Sequence, residues 1–206
     1  MTGAALKVML IEESPTSSSI VYNTLLAEGF GAPLEVSCKD DIFKKASDAR
    51  VDLIIVNVEE PDTRILTQLK YINDVYPIPV VIFSEKGESD IIQIAVQAGV
   101  SAFIVDGLSP KRIKPILNVA LARFSNYSKL RSELAKTKES LANRKIIEKA
   151  KGLIMQQRNC SEDEAYNLLR KIAMDRNQKL SDVASSLIEL SSLLIQDKSL
   201  KDYIPT

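Results

Sequence analysis

Between Ile116 and Lys151 the chain contains neither proline nor glycine. Those two residues break helices most readily, so an uninterrupted run of this length reads as one long helix. Ser109 before Pro110 fits a helix start, where the missing proline N–H costs nothing. Pro115 follows closely, so the regular helix is expected to begin there or to kink there. Ala120, Tyr127, Leu134 and Leu141 recur every seven residues, with Leu117 and Phe124 in the partnering row. Further along, that second row reads Arg131, Lys138, Lys145. One apolar row beside a half-apolar one suits a coiled coil. It predicts a homodimer through residues 116–143, with Phe124, Tyr127, Leu134 and Leu141 at the seam. A single solvated helix is the other reading.

The helix separates two halves of opposite charge. Residues 1–110 hold 8 Lys+Arg against 16 Asp+Glu, and residues 111–206 hold 19 against 11. A formal net charge of zero hides this asymmetry, which suggests two jobs. In the acidic half, short apolar runs alternate with helical patterns. Strands are expected at 6–11, 34–37, 51–58, 79–83 and 102–105. Helices are expected at 16–28, 40–46, 64–75 and 89–98, with a fifth after Pro110. Apolar, β-branched strands alternating with helices mean a parallel sheet covered on both faces. The expected fold is α/β and flavodoxin-like, with sheet order 2-1-3-4-5 and any site at the carboxyl ends of the strands.

Glu12 and Glu13 stand at the end of the first strand, Asn57 near the end of the third, Ser84 after the fourth and Asp106 after the fifth. This layout resembles the receiver domain of two-component response regulators over residues 6 to 122. The resemblance implies an acidic pair for a divalent metal, an aspartate that accepts a phosphoryl group, and a hydroxyl and a lysine that read it. Glu12 and Glu13 fit the pair, Ser84 the hydroxyl and Phe103 the switch aromatic. Asn57 departs from the pattern, because an amide is no nucleophile toward phosphoryl donors. Asp106 stands where the lysine belongs and would repel a phosphoryl group. Glu12, Glu13, Asn57, Ser84 and Asp106 therefore read as a degenerate phosphoacceptor pocket in a pseudo-receiver. No cofactor is expected. A divalent cation is left open, since Glu12, Glu13 and Asp106 would otherwise repel if they converged.

Past the long helix, three short apolar faces repeat at helical spacing: Ile146, Ile147, Ala150, Leu153, Ile154; then Ala165, Leu168, Leu169, Ile172, Ala173; then Val183, Ala184, Leu187, Ile188. Ser161 with Glu164 forms a capping box, and Ser181 with Asp182 is expected to cap the third helix. Such small faces must meet in one all-α cluster. Between Arg144 and Lys179 stand nine basic residues against five acids, three of which sit in one first helical turn. Those acids suit the helix dipole. The unmatched bases favour a polyanionic partner, although a solvated face accounts for a charge run as well.

The strings A-K-G-L-I-M (150–155), S-E-D-E-A-Y-N-L-L-R (161–170), A-M (173–174) and L-S-D-V-A (180–184) resemble the ANTAR domain. That is the three-helix RNA-binding module of bacterial transcription antitermination regulators of the amidase and nitrate-assimilation type. The resemblance covers residues 143–190. It implies binding of paired hairpins, each with a six-base loop, in a nascent leader mRNA, which blocks terminator formation. It also implies control by a ligand-sensing partner protein. The expected RNA contacts are Lys151 and Arg170 first, each inside a matching string, then Arg144, Lys149 and Lys171. Tyr166 is either a contact or part of the core.

The domains expected are a pseudo-receiver at 1–110, a dimerisation helix at 111–143, an RNA-binding domain at 144–195 and a frayed tail at 196–206. The chain has no histidine, which removes most general acid–base chemistry, and no enzyme is expected. Cys38 and Cys160 lie far apart and read as ordinary reduced thiols. No apolar run approaches a membrane span, so a cytoplasmic protein is expected. Two rival functions remain: a phosphorelay regulator that binds DNA, and a scaffold that binds no nucleic acid.

Overall fold

A computed structural model describes residues 6–13 and 15–200, without side-chain detail at 15–19 and 194–200. The expected frayed tail lies mostly outside this range. The chain divides into two compact units, Met1–Lys129 and Leu130–Thr206.

The first unit is built on five parallel strands, β1 (Val8–Glu12), β2 (Leu34–Ser37), β3 (Leu53–Val58), β4 (Val80–Ser84) and β5 (Ala102–Val105). Their order is β2-β1-β3-β4-β5, as expected. The central strands β3 and β4 are buried at every position, which is why they read as unbroken apolar runs. Helices α1 (Pro15–Ala27), α2 (Ile42–Ala49), α3 (Thr63–Val75) and α4 (Ser89–Gln97) supply most of the cover. On one face Ile42, Leu66, Leu69 and Ala95 pack against Met9, Ile54 and Ile82. On the other, Val21 and Leu25 pack against Leu10, Ile55 and Phe83.

Side-chain caps fix the helix starts. Asp41 accepts from the Lys44 amide and Asp62 from the Ile65 amide, so α2 begins after Asp41 and α3 after Asp62. Gly99, at φ +83, ends α4, and a Cβ there would strike the Asn73 side chain.

Helix α5 runs from Pro110 to Arg158 without a break. The Ser109 carbonyl accepts from the amides of Arg112 and Ile113, and the helix continues through Pro115. Its first turns belong to the sheet. Ile113, Leu117 and Ala120 are fully buried against the β1–β3–β4 face. This corrects the seam reading of Leu117 and Ala120: heptad spacing cannot tell a core-facing stripe from an intermolecular one. Beyond them, Phe124 is half-buried, and with Arg123 and Tyr127 it lines a cleft of about 290 Å³ beside Asn73 and Val96. Tyr127, Leu134 and Leu141 are each more than half exposed, as is Leu130, one turn from both Tyr127 and Leu134.

In the second unit, the end of α5 meets α6 (Glu162–Asp175) and α7 (Leu180–Leu200). Ala150, Ile154, Ala165, Leu169, Ala173, Val183 and Ala184 make the core. Asn159 and Asn177 hold left-handed backbone (φ +48 and +51) at the two breaks, a conformation asparagine tolerates well. The capping box at Ser161 and Glu164 is present. Ser181 does not cap α7. The helix starts one residue earlier, where the Lys179 carbonyl accepts from the amides of Asp182 and Val183. No helix among the described residues is long and apolar enough to cross a membrane.

Candidate functional site

The carboxyl ends of the strands gather residues expected to form a degenerate phosphoacceptor pocket. Glu13, Asn57, Ser84 and Asp106 line a cavity of about 700 Å³ with Glu59 and Leu108. Asn57 and Glu12 are register partners on β3 and β1, and the Asn57 amide donates to Glu12 Oε1 at 3.1 Å. Asn57 is buried (7% exposed), so this bond satisfies a group that water barely reaches.

Ser84 is also buried, and its hydroxyl lies 2.9 Å from the Glu59 carbonyl and 2.6 Å from that of Lys86. It is turned to the backbone of its own loop. Asp106 is exposed, in left-handed backbone (φ +50), with its amide donating to the Ser84 carbonyl. The nearby Lys86 is paired with Glu59 at 2.5 Å, which raises its pKa and lowers that of Glu59. Phe103 is half-buried against the α2–α3–α4 core.

Glu12, Glu13 and Asp106 do not converge into a metal site: among the described residues no three potential ligands cluster to hold one. Glu12 instead receives the Asn57 amide. Burial, reinforced by the Glu13 and Asp62 carboxylates, pushes the Cys38 thiol up to about 11, so it is protonated and inert at neutral pH.

In the second unit Arg144, Lys149, Arg170 and Lys171 are exposed. Lys151 is not. It is 6% exposed, and its ammonium lies 2.8 Å from Glu148 and 2.6 Å from Glu162. Hydrogen bonds to Glu148 and Glu162 raise its pKa, and Lys151 in turn lowers that of Glu162. The lysine expected first among the RNA contacts is thus buried and paired rather than exposed. The side chain is committed to two carboxylates and ties the end of α5 to the start of α6.

The acids of the α6 first turn have local work. Glu164 is held below the usual carboxylate range by the Ser161 amide and hydroxyl, and Glu162 carries the Lys151 pair.

Tyr166 is 40% exposed and belongs to two neighbouring grooves. One, of about 480 Å³, holds Lys136, Asn143 and Arg144 together with Glu139 and Glu148. The other, of about 440 Å³, holds Arg170, Met174, Asn177, Gln178 and Lys179. The structure thus gathers Arg144, Tyr166 and Arg170, while Lys149 and Lys171 line neither groove. Lys136, Asn143, Asn177 and Gln178 were not singled out by sequence. Asn177 and Gln178 sit in the break between α6 and α7, with Asn177 in left-handed backbone.

Residues 135–188 match the family model of the ANTAR domain. The transcriptional regulatory protein PdtaR of Mycobacterium tuberculosis is 26% identical over 183 residues, covering 89% of each chain. The nitrate regulatory protein of Klebsiella oxytoca is 33% identical over 88 residues, 43% of this chain but only 22% of that protein. A signal receiver domain from Vibrio parahaemolyticus superposes with a TM-score of 0.50 at 23% identity, covering 62% of this chain and 98% of its own. The chain therefore carries a segment that matches the ANTAR domain, at 135–188, behind a five-stranded flavodoxin-like fold similar to that of receiver domains.

Proposed function

We propose that this chain is an RNA-binding transcription antiterminator whose receiver does not run on phosphorylation. The observation that carries the reading is the coincidence of the ANTAR match with exposed bases, Arg144, Lys149, Arg170 and Lys171, around a small fixed core. Among the described residues none of the four forms an ion pair, and exposed unpaired cations suit the phosphates of a polyanion. The target is a pair of hairpins with six-base loops in a nascent leader mRNA, whose capture keeps the terminator from forming.

Asn57 and Asp106 remove acceptor and lysine together, so the input comes from elsewhere, in this reading a ligand-sensing regulatory protein. The exposed residues Tyr127, Leu134 and Leu141, with Phe124 beside them, support a homodimer through α5. The protein acts in the cytoplasm, where nascent RNA is made.

A gel shift with a two-hairpin leader RNA against duplex DNA tests the reading. Retention of the hairpins alone supports it. Retention of duplex DNA points to a DNA-binding regulator, and retention of neither points to a scaffold.

A further inference from the structure

We infer that Tyr166 and the groove between α6 and α7 form a pocket for a single unstacked nucleobase. This rests on the RNA-binding reading and goes further, to the part of the RNA that is read and the residues that read it. Three observations carry it.

The first is the face itself. Tyr166, Arg170 and Met174 follow one another at steps of four on α6, so they share one face. An aromatic ring 40% exposed and a methionine 69% exposed are an odd surface for a site that binds only phosphate. They suit a flat apolar ligand: loop bases are held by stacking on aromatic rings, while Lys and Arg take the backbone.

The second is charge. The groove that holds Arg170 and Lys179 has no acid in its lining, so a phosphate beside the base is welcome there. The groove on the other side of Tyr166 contains Glu139 and Glu148, which oppose its own cations.

The third is unused hydrogen-bonding capacity. The loop backbone is already satisfied: the amides of Arg176, Asn177 and Gln178 donate to the carbonyls of Ile172, Met174 and Ala173. The loop is thereby fixed, with Asn177 in left-handed backbone. The side chains of Asn177, Gln178, Arg170 and Lys179 have no hydrogen bond or ion pair among the described residues. A carboxamide offers a donor and an acceptor side by side, the complement of a base edge that does the same. In this assignment Tyr166 stacks on the base, Asn177 and Gln178 read its edge, and Arg170 and Lys179 hold the flanking phosphates.

The test uses the full chain and three RNAs with identical stems: six-base loops, the same loops with 2-aminopurine placed at one position at a time, and stems closed by a non-nucleotide linker. Wild type should bind the looped RNA more tightly than the linker-closed stems, and one 2-aminopurine position should lose fluorescence on binding. Tyr166→Leu should abolish that quench and weaken loop binding about 5- to 150-fold, the range reported for base–aromatic stacking. Its affinity for linker-closed stems should not change. Tyr166→Phe should behave as wild type, because stacking does not need the hydroxyl. If Tyr166→Leu fails to keep its helix content, Asn177→Gly with Gln178→Ala replaces it, glycine keeping the left-handed backbone at 177. That pair should lose discrimination between looped and linker-closed RNA.

A Tyr166→Leu or Asn177→Gly/Gln178→Ala protein that is folded and reads loops as wild type does would overturn the pocket while leaving RNA binding intact. A wild type that binds no RNA would overturn the RNA reading itself, and the pocket with it.

Discussion

The Asn57 side-chain amide donates to Glu12 Oε1 at 3.1 Å, between register partners on β3 and β1. A phosphoryl acceptor at this point would have to be a carboxylate, and the chain has a hydrogen-bond donor facing a carboxylate. Treatment with acetyl phosphate should therefore leave the intact mass of the protein unchanged. Asn57→Asp should not create a working site, because the lysine position holds Asp106. It would replace a buried donor with a second acceptor against Glu12. An expected cost of about 1–3 kcal/mol would appear as a lower urea midpoint at unchanged slope. A phosphorylated wild-type protein would show that the pocket is not degenerate.

The Lys151 clasp makes a prediction about pH. Lys151 lowers the pKa of Glu162, and Ser161 lowers that of Glu164. For a depressed carboxylate, the stabilisation is present above its unfolded value, about 4.3, and is lost as pH falls through the folded value. The raised Lys151 has the opposite sense: its contribution is whole below the unfolded value, about 10.4, and is lost as pH rises through the folded one. The three-helix module should thus hold a stability plateau across neutral pH and weaken at both ends. Glu162→Gln should flatten the acid limb in thermal melts followed by circular dichroism. An acid limb identical to wild type would remove Glu162 from the account.

Lys151→Ala should lower the melting temperature of the module, and Lys151→Arg should recover part of the loss. At a temperature where both proteins are folded, the change in RNA affinity should be small beside that of Arg170→Ala. A Lys151→Ala protein with wild-type melting and lost RNA binding would restore the lysine as a direct contact.

Leu130, Leu134 and Leu141 leave more than half of their surface in water. Covering them in a dimer would contribute about 1.5–3 kcal/mol per side chain at full burial. Sedimentation should find a dimer, and Leu134→Asp with Leu141→Asp should find a monomer whose first unit stays folded. A wild-type monomer, or an unchanged double mutant, would show that the stripe is not a seam.

Arg170→Ala should reduce RNA affinity and lower the slope of log affinity against log salt by about 0.7–0.9, the value for one lost phosphate contact. Lys171→Ala, outside both grooves, should change the slope by less. Equal slopes in both mutants and the parent would place the RNA elsewhere.

The sheet was legible because its central strands are buried on both faces and so read as unbroken apolar runs. Helix starts shifted by a residue or two where aspartates cap: Asp41 and Asp62 end the preceding turn, although spacing alone would have opened or delayed the helix there. The features that spacing did not show share one cause. Spacing rules see neighbours three, four or seven residues away. Glu162, the second partner of Lys151, lies eleven residues on, across a helix break. Leu117 and Ala120 fit the heptad but face the sheet, whereas Leu130 lies outside the chosen rows and is open to solvent. Asn177 and Gln178 fall between two apolar stretches and carry no signal of their own, because a groove formed by a turn and two helices has no linear signature.

The burial of Lys151 gives this protein a chemical handle. Its side chain is 8% exposed, while Glu148 and Glu162 occupy its ammonium. An amine-capping reagent at neutral pH should therefore modify the exposed Lys149 and Lys171 quickly and Lys151 last. Cleavage at arginine leaves Lys149 and Lys151 on one peptide, 145–158, and Lys171 on another, 171–176, so one digest can compare them. The lag of Lys151 behind its neighbours reports how often the three helices come apart, without any denaturant.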